Sequence, residues 1–437
     1  MNAHSAFCAI GVLGSPRLLA GLNTPTDTVG FAMHEQVHGP LARFGSRANL
    51  ERVLLDSGLR GRGGAGFPLG RKIATLAKRR NPVVVVNASE GEPLSRKDVV
   101  LLGRVPHLVI DGAIAVADAI DAGEVVIYLH EGRPETVEAV RAALAERRGD
   151  LVPVRIVEGP ARYVAGEASA AISFISGGEA LPTKKPPQPT DRGVRGRPTV
   201  LSNAETFAHT ALIVRHGAQW FRSVGVETDP GTVLLTVTDG TTHVVIEAPT
   251  GTPLSLVVNR AGGSLERAAA VLLGGYAGTW ATPDQCATLT LDRNALSASG
   301  FALGVGQIAL LPSDACYLSE TARISDWLAG QTAGQCGPCV HGLPDIAAGM
   351  RDIATRPTTN KAAETVWRWA DQVDGRGACA HPGGVSRLVR SALALSPEHL
   401  AHHQRGLCRA TRAAFPIPGV IAAVSYTHLT LPTKRIV

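Results

Sequence analysis

Residues 83–157 alternate between β-branched runs and helical patterns, and this alternation restricts the fold more than any other feature of the sequence. Residues 83–86 are four consecutive valines, a run typical of a strand that is buried on both faces of a parallel sheet. The pattern then predicts a helix over 106–121, a strand over 124–129, a helix over 134–148 and a strand over 151–157. Strands that alternate with helices in this way predict an α/β fold with a doubly wound sheet.

After this layer the predicted secondary-structure pattern changes twice along the chain. A helical pattern over 203–216 closes the first domain, and short alternating strands at 232–238 and 242–247 follow. From residue 317 the pattern predicts helices over 317–329, 343–354, 360–373 and 384–395. A chain of 437 residues is long enough for about two to four domains. We therefore predict an α/β domain at 1–228, a small α+β module at 229–315, a helical domain at 316–412 and a partly non-native tail at 413–437.

The composition of the chain excludes several classes of protein. Apolar residues make up 45% of the chain and charged residues 18%, which excludes a wholly disordered chain. The net charge of +6 is spread along the chain without a block of like charges, which argues against a nucleic-acid partner. Because no apolar stretch is long enough to span a bilayer, we expect no direct membrane insertion. We expect a cytoplasmic location, either free or peripheral to a membrane complex.

The cysteines are grouped rather than paired. Seven cysteines in a chain of this length fit no disulfide framework. Cys336 and Cys339 form a C-x-x-C pair, and Cys379 follows 40 residues after Cys339. In a reducing compartment this grouping predicts metal or redox chemistry.

A glycine-rich loop occupies residues 58–68 and holds five glycines within nine residues. Gly61, Gly63 and Gly66 match the spacing of a dinucleotide-binding fingerprint, but a predicted helix precedes the loop where that fingerprint needs a strand. Glycines nonetheless let backbone N–H groups approach a ligand closely, and Arg62 and Lys72 add positive charge. The loop therefore predicts phosphate or flavin binding, with a mobile surface loop as the alternative.

Polar residues follow the valine strand at its carboxyl end, which is where open α/β sheets bind ligands. The Asn87 side chain is able to hydrogen-bond a heterocycle edge or a ribityl hydroxyl, and Glu90 and Glu92 are placed to orient a second ligand. An ordinary polar turn at the end of a strand is the alternative.

Five motifs, in the same order and with the same spacing, resemble those of the flavin subunit of respiratory complex I, the family of NADH–quinone oxidoreductase F subunits. They lie at residues 58–70, 87–93, 163–168, 185–189 and 196–206, within a resemblance that covers roughly residues 45–395. The family implies a Rossmann-like FMN- and NADH-binding domain, a β-grasp module and a C-terminal helical-bundle iron–sulfur domain. It also implies hydride transfer from NADH to FMN and the exit of single electrons through the cluster to a partner protein, ferredoxin-like or complex-I-like.

The resemblance also assigns roles to residues of this chain. Glu92 and Glu167 take the catalytic positions. The residues implied to bind the cofactor are Gly61, Arg62, Gly63, Gly64, Gly66, Phe67, Lys72, Asn87, Glu90, Tyr163, Gly166, Glu167, Asn203 and Thr206. The implied cluster ligands are Cys336, Cys339 and Cys379. The protein's own share of such chemistry is to position and tune the cofactor.

Three substitutions within these motifs weaken the NADH side more than the flavin side. Ser89 replaces an aspartate, Ala168 replaces a glutamate that faces the nicotinamide, and Gln188 replaces a phenylalanine that stacks on adenine. Loss of a stacked base costs about 1–3 kcal/mol, which weakens binding about ten- to a hundredfold. The alternative function is therefore a non-catalytic flavin or electron-relay protein that has lost NADH oxidation.

The cluster motif lacks its first cysteine, because Ala333 stands at that position. Three thiolates can hold a [3Fe–4S] cluster, or a [4Fe–4S] cluster with His341 or His381 as a non-thiolate fourth ligand. A structural zinc site of Cys₃His composition, with His381 as its histidine, is one alternative. A site without metal is the other.

A second group of potential ligands follows the last predicted helix. Its members are His399, His402, His403 and Cys408. Polar residues with this spacing are more often the solvated face of a helix than a metal site, and we interpret them in that way.

Overall fold

The computed structural model describes residues 8–418, except 23, 25, 42, 44, 78–80, 148, 151, 184, 185 and 411. Within these residues the strands are β1 (Ala9–Val12), β2 (Val83–Ala88), β3 (Glu124–His130), β4 (Val154–Gly159), β5 (Thr199–Asn203), β6 (Gly225–Val226), β7 (Asp229–Pro230), β8 (Thr232–Asp239), β9 (Thr242–Pro249), β10 (Ala268–Leu273), β11 (Thr279–Ala281) and β12 (Gln307–Pro312). The helices are α1 (Phe31–His38), α2 (Arg47–Ser57), α3 (Leu69–Ala74), α4 (Lys97–Arg104), α5 (Pro106–Ala119), α6 (Pro134–Glu146), α7 (Ala168–Ile175), α8 (Ala204–Arg222), α9 (Leu254–Arg260), α10 (Pro283–Thr288), α11 (Arg293–Ala298), α12 (Tyr317–Gly330), α13 (Leu343–Thr355), α14 (Asn360–Val373), α15 (His381–Leu395) and α16 (Pro397–Gln404).

Strands β2 to β5 form a parallel sheet in the order β4-β3-β2-β5. The valine run lies in β2, and its side chains point alternately to the two faces of the sheet. Val84 and Val86 belong to a core shared with α5 and α8, whereas Val83 and Val85 belong to a core shared with α7. All four valines are fully buried, and the predicted α/β layer is confirmed.

A mixed sheet follows, in the order β1-β9-β8-β12-β10-β11. Strands β8 and β9 form an antiparallel hairpin, and β12 runs parallel to β8. Strand β1 also pairs with β9, with Ala9 opposite Val244. Residues 9–12 therefore lie in this sheet, although the predicted boundaries assign them to the first domain. The division of the chain at residues 228, 315 and 412 stays a prediction.

Helices α12 to α16 form a helical bundle that shares a sheet face with the preceding part of the chain. Ala270 and Leu272 of β10 lie in the core of the bundle, whereas Val271 and Leu273 lie in the core beneath α9. Because successive residues of one strand enter two cores, the bundle is fixed relative to the mixed sheet. The predicted helices beyond residue 317 are confirmed as α12 to α15.

Helix α4 is an element that the sequence pattern does not predict. All eight of its residues are buried, including Lys97 and Asp98, and eight residues are fewer than the roughly 11–18 over which a helical period is recognised. Within the described part of the chain, no single helix has the length and apolar character to cross a membrane. Helices α4 and α5 meet those criteria only as a pair, which is bent by 92° at its junction.

Candidate functional site

A cavity of about 640 Å³ opens where the three parts of the chain meet. Its walls come from the glycine loop (residues 58–68), the carboxyl ends of β2 and β5, the turn after β10 and the start of α15. This volume is typical of small-molecule and cofactor sites. The sequence-predicted site residues that line it are Gly61, Gly63, Gly64, Gly66, Phe67, Lys72, Asn87, Glu90, Glu92, Tyr163, Gly166, Glu167, Asn203 and Cys379.

A cavity of about 690 Å³ lies elsewhere, beside α6. Its lining includes Pro106, Pro134 and Val137, and none of the sequence-predicted site residues belongs to it. The converging polar groups of the chain instead surround the cavity at the glycine loop, which is therefore the candidate site.

The glycine loop needs its glycines for conformation as well as for access. Gly64 and Gly66 have φ values of 102° and 68°, in a region that residues with a Cβ rarely adopt. A Cβ at Gly61 would lie 2.7 Å from the carbonyl oxygen of Phe67, so the loop turns back on itself too tightly for a larger residue. The loop therefore presents main chain, rather than side chains, to this part of the cavity.

Arg62 and Thr206 lie behind the loop and not in the cavity wall. The Arg62 backbone N–H donates to Thr206 Oγ1 at 2.9 Å. The Arg62 guanidinium lies 3.9 Å from Glu205 and 3.7 Å from Asp229, and burial lowers the pKa of Arg62 to about 10. These contacts anchor the loop from beneath, and a direct role of either side chain in cofactor binding stays a prediction.

Lys97 and Asp98 also line the cavity, although neither is among the sequence-predicted site residues. Lys97 Nζ donates to Asn203 Oδ1 at 2.8 Å and to Glu205 Oε2 at 3.0 Å. Burial disfavours its charge, but the carboxylates of Asp98 and Glu205 outweigh burial and raise the pKa of Lys97. The signal available in the sequence is a charged pair, six residues after Gly91, that opens an otherwise apolar run.

Asn87 and Asn203 occupy paired positions at the ends of β2 and β5. Asn203 Nδ2 donates to the Asn87 carbonyl at 3.2 Å and to Asp98 Oδ2 at 2.6 Å. Asn87 Nδ2 donates to the Gly166 carbonyl at 2.9 Å. Both amides are thus oriented by the protein, and together they tie residues 163–168 to the edge of the parallel sheet.

The two glutamates that follow β2 make different contacts. Glu90 accepts hydrogen bonds from Ser95 Oγ at 2.5 Å and from the Asp98 N–H at 3.2 Å, so it caps the start of α4. Glu92 accepts from the Tyr276 N–H at 2.9 Å. Burial, opposed by hydrogen bonds from Tyr276 and Tyr163, raises the pKa of Glu92 to about 8. Glu92 is therefore mostly uncharged at pH 7 and joins the α/β layer to the mixed sheet.

Glu167 and its neighbours form the wall opposite the strand ends. Glu167 is the N-cap of α7, and its Oε2 accepts from the N–H groups of Ser169 at 2.7 Å and Ala170 at 3.2 Å. Ala168 lines the cavity without a carboxylate. Ser89 Oγ is buried and has no hydrogen-bond partner among the described residues.

Gln188 is placed differently from the other substituted positions. Its side chain is exposed and does not line the cavity. Residue 185, which begins the predicted cover motif, lies outside the described residues. Of the two positions considered for the adenine stack, only position 67 carries an aromatic ring, and Phe67 is 49% exposed.

The cluster cysteines, Cys336, Cys339 and Cys379, approach one another beside the cavity. Burial, together with a hydrogen bond to the Cys336 sulfur and the nearby Cys379, raises the pKa of Cys339 to about 12. Cys379 is also part of the cavity wall. Ala333 is half-buried, lies three residues before Cys336 and supplies no fourth thiol.

His381 and His341 differ in their surroundings. His381 is buried, its Nε2 donates to the Leu328 carbonyl at 2.9 Å, and its Nδ1 has no hydrogen-bond partner within the described chain. His341 is exposed. The cluster cysteines and His381, all of them described residues, do not bring their ligand atoms within 4.8 Å of one another. The structure therefore does not assemble the compact Cys₃His zinc site considered above.

Comparison with known proteins identifies the family. The model of the Nuo51 FMN-binding domain matches residues 54–211, and that of the NADH-ubiquinone oxidoreductase-F iron-sulfur binding region matches residues 319–403. The F subunit of the NADH-quinone oxidoreductase of Mycobacterium tuberculosis is 31% identical over 379 residues, which cover 82% of this chain and 85% of that protein. The chain belongs to the family of NADH-quinone oxidoreductase F subunits. The resemblance drawn from five motifs is confirmed, and with it the expectation of FMN and an iron–sulfur cluster.

Two further proteins are similar to this chain over most of its length. The F subunit of the NADH-quinone oxidoreductase of Streptomyces coelicolor is 31% identical over 375 residues, covering 80% of this chain and 82% of that protein. A solved NAD⁺-reducing [NiFe]-hydrogenase, in the H₂-reduced state, has a chain that superposes with a TM-score of 0.79 at 29% identity. The superposition covers 91% of this chain and 68% of the hydrogenase chain. The shared fold therefore includes both the cavity and the helical bundle.

Proposed function

We propose that the chain takes hydride from NADH to FMN and passes single electrons through an iron–sulfur cluster to a partner protein. One observation carries this proposal. The cavity that is lined by the glycine loop is also lined by Cys379 and His381, so the flavin-type and cluster-type residues of the chain share one wall. A flavin bound in this cavity would lie close to the iron–sulfur cluster, which accepts one electron at a time.

The residues at the cavity fit FMN. The glycine loop offers main-chain N–H groups that no Cβ shields, Lys97 supplies an ammonium group held in place by Glu205, and Ser89 Oγ is a buried hydroxyl without a partner among the described residues. The residues proposed to hold FMN are Gly61, Gly63, Gly64, Gly66, Lys72, Asn87, Glu90, Gly166 and Asn203, with Arg62 and Thr206 supporting the loop from beneath. Bound FMN supplies the change from two-electron to one-electron chemistry.

We propose that Phe67, Glu167 and Glu92 serve the NADH side. The exposed ring of Phe67 is free to stack on the adenine. Glu167 is held by two amide groups at the start of α7, which fixes its carboxylate for orienting the nicotinamide end. Glu92 holds a proton on its carboxyl group near neutral pH, since its pKa is raised to about 8 by burial.

The cluster is proposed to be held by Cys336, Cys339 and Cys379, with His381 Nδ1 as the fourth ligand. Because His381 Nε2 donates to a backbone carbonyl, Nδ1 is left as the unprotonated nitrogen that a metal needs. The ring of Tyr163, which hydrogen-bonds Glu92, lies 5.6 Å from the ring of His381. Tyr163 is thus proposed to pack between the flavin cavity and the cluster.

The partner is proposed to be a ferredoxin-like or complex-I-like electron carrier that docks beside Cys336. Residues 334, 335 and 337 are exposed, and Val340 is 45% exposed. The cluster cysteines therefore lie close to a surface where a carrier is able to approach. A cytoplasmic location, free or peripheral to a membrane complex, is part of the same proposal.

Anaerobic reconstitution with FMN tests the proposal directly. Addition of NADH is expected to bleach the visible absorbance of the oxidised flavin, and iron analysis is expected to detect the cluster. A chemical reductant serves as the control, because it shows that the bound flavin is reducible. If that reductant bleaches the flavin and NADH does not, the substitutions at residues 168 and 188 have removed NADH oxidation and the chain acts as an electron relay.

A further inference from the structure

Four side chains outside the candidate site come together at the far end of the helical bundle. They are Cys316, His399, His403 and Cys408, called here the Cys₂His₂ group, and their ligand atoms all lie within 4.8 Å of one another. Cys316 Sγ is 3.2 Å from His399 Nε2 and 3.1 Å from His403 Nε2. The Cys408 thiol lies within hydrogen-bonding distance of the Cys316 sulfur.

Three separate segments of chain bring this group together. Cys316 is the N-cap of α12, His399 and His403 stand four residues apart on one face of α16, and Cys408 lies just beyond that helix. The interpretation of these histidines as a solvated face is therefore wrong for His399 and His403. It holds for His402, which is exposed. Cys316 lies more than 80 positions before the histidines, so their spacing alone gives no sign of it.

The group has the chemistry of a tetrahedral zinc site. Two thiolates and two imidazoles form one of the common structural ligand sets, with Zn–S distances of about 2.3 Å and Zn–N distances of about 2.0–2.1 Å. Ligand atoms around such an ion lie about 3.3–3.8 Å apart, by tetrahedral geometry from these distances. The two observed sulfur–nitrogen distances of 3.1 and 3.2 Å need to open by only a few tenths of an ångström.

The surroundings of the ligands also match those of a metal site. His403 is 4% exposed, and its ring hydrogen-bonds the backbone of Ile353 and Ala354 on α13. Such a backbone bond orients a ligating imidazole. Cys316 is 1% exposed and accepts a hydrogen bond from the Ser319 N–H at 3.5 Å. The Ala410 N–H does the same for Cys408.

We propose that the Cys₂His₂ group binds one Zn²⁺ ion, separate from the iron–sulfur cluster, and that this ion fastens α16 and the residues after it (408–410 and 412–418) to the start of α12. The segment beyond Cys408 is already docked on the bundle. Glu320 accepts from the Ala414 N–H at 2.9 Å, and the ring of Phe415 stacks on Trp280 with centroids 6.2 Å apart. Zinc would hold the other end of this segment in place, because two of the zinc ligands lie on α16 and Cys408 follows that helix.

X-ray absorption at the zinc edge of the purified holoprotein, with metal analysis, tests the proposal. The expected result is about one Zn²⁺ per chain in addition to the cluster iron, with two sulfur and two nitrogen ligands. A shell of three or four sulfurs would place the zinc at the cluster cysteines and overturn the proposal. Absence of zinc after incubation with zinc chloride under reducing conditions would overturn it as well.

Paired variants on one helix locate the ion. His403→Ala is expected to lose the zinc, whereas His402→Ala, one position away on the exposed face, is expected to keep it. Cys336→Ser is expected to lose iron and keep zinc, which separates this proposal from that of the redox cluster. Retention of zinc in a folded His403→Ala protein contradicts the proposal.

A cobalt-substituted protein keeps the test independent of variants that fail to fold. Tetrahedral Co²⁺ with thiolate ligands gives ligand-field bands at longer wavelength than the flavin, and we expect these bands in the wild-type chain. Mapping a Cys316–Cys408 disulfide in protein purified under reducing conditions would contradict the proposal, because a disulfide leaves no thiolate to bind metal.

Discussion

The helical bundle holds two groups of cysteines that differ in what surrounds them. Of the cluster cysteines, Cys379 lines the cavity, whereas Cys336 and Cys339 lie in a segment whose residues 334, 335, 337, 340 and 341 are exposed. The Cys₂His₂ group is closed by helices α12, α13 and α16, and no residue of it lines that cavity. The difference indicates that the same ligand chemistry serves two purposes, because electrons need a route in and out, whereas a structural ion needs only to be enclosed.

The two regions are not isolated from each other. Tyr276 donates its backbone N–H to Glu92 at the cavity, and its hydroxyl donates to the Pro416 carbonyl at 2.5 Å, in the segment that follows Cys408. One residue thus touches both the candidate active site and the segment that zinc is proposed to fasten. A substitution at one group that also alters the other group would therefore contradict the view that the two groups serve separate purposes.

The largest effect is expected from Cys379→Ser. Loss of a cluster ligand is expected to remove the cluster and to lower electron transfer to an acceptor protein by about a hundredfold or more, beyond the cost of losing an outer contact. Reduction of the flavin by NADH and the zinc content are expected to stay unchanged. Iron analysis, electron paramagnetic resonance and stopped-flow absorbance measure these quantities.

Cys286→Ser is the matched control for that variant, because Cys286 is buried in the core beneath α9 and belongs to neither group. It is expected to keep iron, zinc and electron transfer. Full iron content in Cys379→Ser would show that Cys379 is not a ligand and that the two groups do not differ in the way described.

Ala333→Cys is expected to sharpen the contrast by completing a set of four thiolates. The cluster is expected to take the [4Fe–4S] form with cysteine ligands only, and its rate of loss in air is expected to fall about tenfold, the lower end of ligand effects. Electron paramagnetic resonance identifies the cluster type. Ala333→Ser has nearly the same size without a thiolate, and an equal gain in that control would assign the effect to packing.

Removal of zinc is expected to loosen the far end of the bundle and to spare the redox site. A ligand present well above its dissociation constant stabilises the state that binds it, so chelation is expected to raise hydrogen exchange in α16 about tenfold. The same protein is expected to reduce FMN with NADH at an unchanged rate. A parallel fall in flavin reduction would mean that the group supports the cavity through Tyr276.

Glu92→Gln is expected to change the pH dependence of stability. The folded-state pKa of Glu92 is raised to about 8 by burial, above the value of an unfolded chain, so its stabilising effect is full at low pH and is lost as pH rises towards 8. The loss has an upper bound of about 1.4 kcal/mol per pH unit. Glutamine carries no such proton, and the variant is expected to lose less stability between pH 5 and 8.

Chemical denaturation at several pH values measures this difference, with Glu138→Gln as the control on an exposed helical position. An identical pH slope in wild type and Glu92→Gln would remove Glu92 as the proton-holding group. The zinc content of both variants is expected to equal that of wild type.

Local patterns in the sequence predict those elements whose partners lie nearby. The valine run predicts β2 because its burial on both faces leaves a continuous apolar signature, and the glycine spacing predicts a loop that exposes main chain. Helix α4 escapes prediction because it has only eight residues, fewer than are needed to recognise a helical period. Arg62 is assigned to the ligand from its place in the motif, yet its partners are Glu205 and Asp229, which only the fold brings beneath the loop.

The same limit explains the two groups of cysteines. Cys336 and Cys339 are recognisable because a C-x-x-C pair is a local spacing, and the matching family motif adds Cys379. Cys316 has no neighbour in sequence that marks it as a ligand, and its approach to His403 depends on how α12 and α16 pack. Side chains that meet through tertiary packing alone give no periodic signal.

Strand β1 has a consequence for the order in which the chain is able to fold. It pairs with residues 244–247, and buried Glu247 accepts from the N–H groups of Leu18 and Leu19 at 2.9 and 3.0 Å. From residue 12 to residue 247 the ribosome must add 235 residues, which takes on the order of ten to fifty seconds at the usual rate of synthesis. Until then strand β1 lacks its partner β9, and a stalled nascent chain that ends before residue 244 should leave β1 open to proteases. The earliest residues of the sheet are thus among the last to be protected.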